Sequence, residues 1–344
     1  MATKSVSELR KDLVSGDWIV IATGRAKRPE QFLQKKKKRT ITPKKECPFE
    51  DPQAFGNPDP LLMYGKGGVR HPTKKDDWFL QVILNKYPAF KVSSDVCPAV
   101  IQEGPYQRIE GVGAHEVLIT RDHVRHMGLM SKEEVYYVIH AYFERFVALR
   151  GDACSKYISI FHNHGPGAGA TLGHPHSQII AIPVIPPDVG NSLRGSKDYF
   201  HVNGKCVHCV IVEYEIREKS RIVYENEKFV VFCPFVSRTA FEMRLFPKYH
   251  QAYFEELKKE DMHLLADALR MALAKMTEGL DGPDYNFFLH TAPIEDSHFD
   301  HYHWHFEIMP KTATWAGFEL GTGIEISTIT PEAAARFFRK IKVT

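Results

Sequence analysis

The sequence predicts an α+β fold of two related halves, each a mainly antiparallel sheet with one long helix. Two observations point there. Strand-like runs surround single long helical patterns without strict strand-helix alternation, which argues against a doubly wound parallel sheet. The same order then occurs twice, and each time the last strand carries His-x-His, at His174/His176 and at His303/His305. Upstream of these pairs lie Cys47-x-x-Glu50 and Cys206-x-x-Cys209. So long a repeat is a duplicated unit rather than a solenoid. The Pro-rich connector Pro183 to Pro187, followed by Asp188 to Gly204, is the natural boundary, giving halves of 1–185 and 186–344.

In the first half, Asp17 to Ile21, Phe79 to Leu84, His115 to Thr120 and Tyr157 to Phe161 read as strands, being rich in β-branched and aromatic residues. Lys132 to Arg150 has apolar residues at helical spacing, and Ser131 with Glu134 forms a capping box before it. In the second half, strands are expected at Phe229 to Phe232, Phe241 to Phe246, Tyr285 to His290 and Trp304 to Met309. A helix is expected around Phe254 to Met276.

Charge names no partner: 45 basic and 42 acidic side chains leave +3 over 344 residues. With 43% hydrophobic and 25% charged residues the chain is an ordinary globular protein, not a disordered or collagen-like one. No apolar run approaches the ~18 residues of a membrane helix. Met1 to Gly16 lacks a signal-peptide core, so a cytoplasmic protein with no membrane partner is expected. Six cysteines should then be reduced and are read for metal binding first. Cys97, Cys154 and Cys233, with no ligand-like neighbours, read as buried core. The basic tract Lys35 to Arg39 reads as a solvated loop; a nucleic-acid surface would interleave aromatics, and Phe32 is the only one nearby.

The segment from Phe161 to Gln178 carries the most chemistry. If His174 to Ile182 is extended, His174, His176 and Gln178 share one face, because side chains alternate along a strand. The glycine-rich stretch Gly165 to Gly173 could turn several N–H groups toward a phosphate. It is not a Walker loop, since no Gly-Lys-[Ser/Thr] follows, and Leu172 stands where a dinucleotide fingerprint needs its third glycine. A neutral imidazole is a good nucleophile toward phosphorus, so His176 could hold a covalent nucleotidyl group. Cys206 and Cys209 have the spacing that chelates zinc, with later histidines such as His250 and His303 to complete the set. A redox pair is the weaker reading. Cys47 and Glu50 repeat that spacing with a carboxylate for one thiolate. A second metal arrangement at His301, His303 and His305 stays open.

His174-Pro175-His176-Ser177-Gln178, Asn85-Lys86-Tyr87-Pro88-Ala89, Cys47-Pro48-Phe49 and Gly317-Phe318-Glu319 together resemble the galactose-1-phosphate uridylyltransferase family, a histidine-triad branch built of two related halves. Within it, Arg25 to Pro29, Lys197 to Phe200 and Gly317 to Gly323 look closest to the plant ADP-glucose phosphorylases. The resemblance implies ping-pong transfer of a nucleoside monophosphate between a nucleotide sugar and a sugar 1-phosphate, or phosphate in the phosphorylase variant. It makes His176 the nucleophile and Gln178 an amide donor to the phosphate. A histidine in the place of Gln178 would mark a triad-type hydrolase instead. It also assigns nucleotide and phosphate contacts to Arg25, Lys27, Arg28, Asn85, Asn163 and the backbone of Gly169, Ala170, Thr171 and Leu172. Hexose contacts fall to Gly317, Phe318, Glu319 and Gly323. One zinc would take Cys47, Glu50, His115 and His174, and another Cys206, Cys209, His250 and His303. A homodimer is implied by the resemblance alone.

Overall fold

The computed structural model describes residues 7–25, 42–72, 77–92, 97–294 and 298–343. Strands β1 (Ser7–Lys11) and β2 (Trp18–Ala22) form a hairpin. The first half continues with β3 (Leu62–Gly65), β4 (Trp78–Leu84), a small hairpin of β5 (Ile101–Glu103) and β6 (Tyr106–Arg108), and β7 (Ala114–Thr120). Helix α1 (Lys132–Arg150) then leads into β8 (Tyr157–His164) and β9 (His176–Ile182). Two helices follow, α2 (Pro187–Asn203) and α3 (Val207–Glu218). The second half runs through β10 (Ile222–Glu225), β11 (Phe229–Phe232), β12 (Met243–Pro247), helix α4 (Met262–Gly279), β13 (Tyr285–His290) and β14 (His305–Pro310). Helix α5 (Gly317–Thr322), strand β15 (Ile326–Ser327) and helix α6 (Pro331–Lys340) close the chain.

The two halves share one strand order. One ten-stranded sheet has the order β10-β11-β12-β14-β13-β8-β9-β7-β4-β3, and every pairing in it is antiparallel. Outward from the central β8–β13 pair, each half lists its fourth, fifth, third, second and first strand, and each places its long helix between its third and fourth. The buried faces of α1 and α4 pack on one side of this sheet in a single apolar core that spans both halves. The other side carries polar residues toward its centre and smaller apolar clusters toward either end. Register places Arg244, Glu307, Phe288, Phe161 and Gln178 in one row across it, so Gln178 and Glu307 are equivalent positions about the centre.

The long-range patterns hold, and helix α1 begins on the expected box: Glu134 N–H donates to Ser131 Oγ and Ser131 N–H to Glu134 Oε2. Three expectations are corrected. Asp188 to Gly204 is not a connector but helix α2, ended by Gly204 in the left-handed region. The helix expected from Phe254 is two short 3-10 turns, and α4 starts only at Met262, behind the acidic pair Glu260 and Asp261 that favours a helix N-terminus. Cys97 and Cys154 are not reduced core residues; they form a disulfide, with their Cα atoms 5.2 Å apart. Cys233 is free and buried. No helix among the described residues is long and apolar enough to cross a membrane.

Candidate active site

His176 opens β9, opposite Ile119 of β7, and the pleat turns His176, Gln178 and Ile180 toward the open side of the sheet. Its Nδ1 lies 2.8 Å from the backbone oxygen of His174. A carbonyl only accepts, so Nδ1 carries the proton and Nε2 keeps its lone pair. Burial lowers the pKa of the ring, which favours that neutral form. The Phe49 ring packs edge-on at 5.2 Å and limits how His176 can turn. Gln178, two residues on, has its Oε1 2.8 Å from Nε2 of His115.

Behind the nucleophile lies a buried donor cluster. Cys47 Sγ is 3.5 Å from His174 Nδ1, and Glu50 Oε1 is 3.7 Å from that nitrogen and 2.6 Å from Nδ1 of His123. His174 Nε2–H donates to Thr120 O at 2.6 Å and His123 Nε2–H to Thr42 O at 2.8 Å. Both rings therefore aim an Nδ1 lone pair inward. Glu50 Oε1 and His123 Nδ1 are buried and have no hydrogen-bond partner besides each other, and with the proton of a neutral His123 on Nε2 these two face each other as acceptors. Converging lone pairs repel unless a cation lies among them, so the donor set fits a metal ion. His115 is not part of it. It sits across from Ile180 at the other end of β7, five residues and roughly 17 Å of strand away from the carbonyl that His174 binds. His123, which the sequence pattern did not single out, occupies the place expected for it. The only signal was positional: a ligand had to come from the C-terminal end of β7.

The second expected set does come together: Cys206, Cys209, His250 and His303 hold their ligand atoms within 4.8 Å of one another. Cys209 Sγ lies 3.2 Å from His250 Nδ1 and 3.5 Å from His303 Nδ1. Hydrogen bonding from Cys209, then from His250 and His303, holds the Cys206 thiol far below its ordinary pKa, so one thiolate is already favoured. Among the described residues the arrangement left open at His301, His303 and His305 does not gather; the third group that does, at the start of β14, is His290, His305 and Glu307. Histidines 290 and 305 approach Glu307, but Glu307 is already claimed by Arg238 at 2.7 Å and Arg244 at 3.1 Å.

The expected substrate contacts are only partly gathered. Asn85 lies beside His115, with its Nδ2 3.0 Å from His115 Nε2. Asn163 Oδ1 accepts from Asn286 Nδ2 at 2.7 Å. The glycine loop spends much of its backbone internally, contrary to the expected nest. Gly167 N–H goes to Asp284 Oδ2 at 2.7 Å, and those of Ala168, Gly169 and Ala170 go to loop carbonyls. Thr171, Leu172 and Gly173 carry the loop into His174, with Leu172 packed against the cluster that holds Cys47 and Phe49. Gly165 has φ +82°, and a Cβ there would overlap the Asp284 carboxylate. A cavity of about 770 Å³ touches Asn163 and is lined also by Trp315, Thr322 and Gly323. Gly317, Phe318 and Glu319 lie on α5 outside that lining; Phe318 is exposed, and Glu319 Oε2 accepts from Ala316 N–H. The Arg25 side chain, Lys27, Arg28 and the tract Lys35 to Arg39 lie outside the described residues.

Residues 1–186 match the model of the galactose-1-phosphate uridyl transferase N-terminal domain. The chain belongs to the galactose-1-phosphate uridylyltransferase family. Residues 110–341 also match a domain of unknown function, DUF4921. The ADP-glucose phosphorylase of Arabidopsis thaliana is 32% identical over 98% of this chain and 93% of its own. The galactose-1-phosphate uridylyltransferase of Thermotoga maritima is 29% identical over 98% and 99%. The crystal structure of an ADP-glucose phosphorylase from Arabidopsis thaliana with bound ADP-glucose superimposes with a TM-score of 0.79 at 29% identity, covering 98% of this chain and 100% of that one. This uridylyltransferase-family chain is accordingly a nucleotidyltransferase with a mixed α and β, mainly antiparallel fold.

In this family member the two halves differ at the equivalent strand. His305 repeats the geometry of His176, its Nδ1–H donating to His303 O at 3.0 Å. Burial takes its pKa down to about 4. Glu307 replaces the amide of Gln178 and is neutralised by two arginines, which leaves β9 as the strand with a free amide beside the imidazole.

Proposed function

We propose that the chain transfers a nucleoside monophosphate between a nucleotide sugar and a sugar 1-phosphate, as a UDP-glucose:hexose-1-phosphate uridylyltransferase acting through nucleotidyl-His176. The observation that carries this reading is the fixed tautomer of His176: Nδ1–H is spent on the His174 carbonyl, and Nε2 is the lone-pair nitrogen of a half-buried, neutral ring on the same strand face as an amide. Nε2 attacks the α-phosphorus, the bond to the bridging oxygen breaks, and hexose 1-phosphate leaves with that electron pair. An incoming sugar phosphate oxygen then attacks the same phosphorus and breaks the P–N bond. Neither leaving nor entering phosphate needs a proton, so an amide suffices where a hydrolase would need an acid or base. Gln178, Asn85 and the N–H groups of Thr171 to Gly173 are read as donors to the phosphoryl oxygens, and Asn163 as a contact near them.

Zinc is the metal read for both donor sets, Cys47/His123/His174 with the Glu50 carboxylate beside them, and Cys206/Cys209/His250/His303, on the strength of their sulfur and imidazole donors. Its contribution when bound is structural: in the first set it fixes the segment that leads into β9 and His176, and in the second the segment that leads into β14. The halves 1–185 and 186–344 are read as descendants of one unit, supported by their matching strand order. The working form is read as a homodimer, with exposed Trp315, Phe318 and Leu320 on and beside α5 available to a second copy.

A second reading, phosphorolysis of an ADP-sugar, uses the same catalytic groups and is favoured by the 32% identical ADP-glucose phosphorylase. Intact mass after incubation with UDP-glucose or ADP-glucose, without acceptor and at neutral or alkaline pH, separates them. A uridylyl adduct supports the first reading, and an adenylyl adduct the second. No adduct with either removes covalent transfer.

A further inference from the structure

An amide has an accepting end and a donating end, and the structure occupies the accepting end of Gln178. Nδ1 of His115 accepts the backbone N–H of Ala89 at 3.1 Å. A neutral imidazole that accepts at Nδ1 carries its proton on Nε2, and burial keeps this ring neutral. Nε2–H therefore donates to Gln178 Oε1 at 2.8 Å. Asn85 completes the arrangement. Its Oδ1 accepts the N–H of Tyr87 at 2.9 Å, which turns its NH2 toward His115 Nε2, a donor that cannot receive it. The oxygen of each amide is thus engaged by one donor, and in Gln178 that donor, His115, fixes which end of the amide is turned toward it.

We propose that His115 is a positioning residue that keeps Gln178 a donor only, and so biases the nucleotidyl enzyme toward transfer over hydrolysis. This rests on the covalent reading above. A phosphate acceptor arrives as an anion and needs nothing to accept its proton. Water is different. It attacks phosphorus while it still carries protons, and an amide oxygen beside the phosphorus would accept one hydrogen bond and orient it. The P–N bond breaks, and one water proton passes to Nε2 of His176. With Oε1 turned to His115, water meets the NH2 end rather than an acceptor at that position, whereas phosphate loses nothing.

The test uses the full-length protein charged with nucleotide sugar, freed of hexose phosphate, and followed by intact mass with and without acceptor. In His115→Phe, which removes the donor, the ratio of hydrolysis to transfer should rise roughly tenfold, the equivalent of one hydrogen bond. His115→Gln restores an N–H and should bring the ratio back toward wild type. A ratio unchanged in both variants, even with both rates depressed, makes His115 merely structural and overturns the proposal. If His115→Phe does not fold, Gln178→Glu decides: its second oxygen faces phosphorus as an acceptor, so the ratio must rise, and a ratio at or below wild type overturns the proposal. Absence of any adduct in the wild type would instead remove the covalent reading, and this inference with it.

Discussion

One imidazole, His174, joins the buried donor cluster to the proposed nucleophile: its Nδ1 faces Cys47, its Nε2–H holds Thr120, and its own carbonyl fixes the tautomer of His176. Loss of the cluster should therefore disturb catalysis through orientation rather than chemistry. His176→Ala should abolish the adduct while leaving metal content and circular dichroism unchanged; appreciable turnover in that variant would place the nucleophile elsewhere. His123→Ala should lose one of two metal equivalents by elemental analysis, whereas His115→Ala should keep both. The reverse pattern would restore the ligand set expected from the sequence. Glu50→Cys should tighten the first site, because structural sites favour sulfur over a carboxylate. His176 and Gln178 were legible in the sequence because strand period fixes which neighbours share a face. His123 was not, because ligands from distant segments are chosen by register, and one His on or after β7 looks like another until the pairing partner of His174 is known.

Among elements, α1 shows how fully a local signal can determine structure. Its capping box is built as read, and Arg125 extends it by donating from Nη1 to Glu134 Oε2 at 2.7 Å. Burial alone would raise the pKa of Glu134, but the hydrogen bonds from Arg125 and Ser131 outweigh it and leave the pKa below its ordinary 4.5. Its stabilisation is therefore complete above pH 4.5 and is lost as pH falls through the lower folded value. Glu134→Gln should cost about 1 kcal/mol at neutral pH and flatten the acid limb of a stability-versus-pH curve from denaturant titration. An unchanged acid limb would mean the carboxylate contributes no linkage. Helix α2 was illegible for the opposite reason. Gly190, Gly195, Ser192 and Ser196 read as a connector, yet a Cβ on Gly195 would overlap the Val14 carbonyl. That glycine serves close packing on the N-terminal hairpin, and such a need arises only from tertiary contact.

At the scale of the molecule, one sheet and one core make the two halves a single cooperative object, and the long connectors are where it has to be secured. The segment between β4 and β7 contains Asn85 and Ala89, which hold His115, so its placement reaches the candidate site. Cys97 in that segment is tied to Cys154, in the turn between α1 and β8, across 57 residues of sequence. No spacing rule reveals such a pair, because neither cysteine has a ligand-like neighbour and only the folded chain brings the two turns together. Closing a loop of that length restricts the unfolded chain and should contribute about 2–4 kcal/mol. In denaturant with a chelator present, four thiols per chain should react before reduction and six after it, matching the four free cysteines Cys47, Cys206, Cys209 and Cys233. Reduction of the folded protein should lower its denaturation midpoint, and Cys97→Ser should reproduce that shift without any reductant. Six reactive thiols in the unreduced protein would show that the bond is absent and that the connector is held by packing alone.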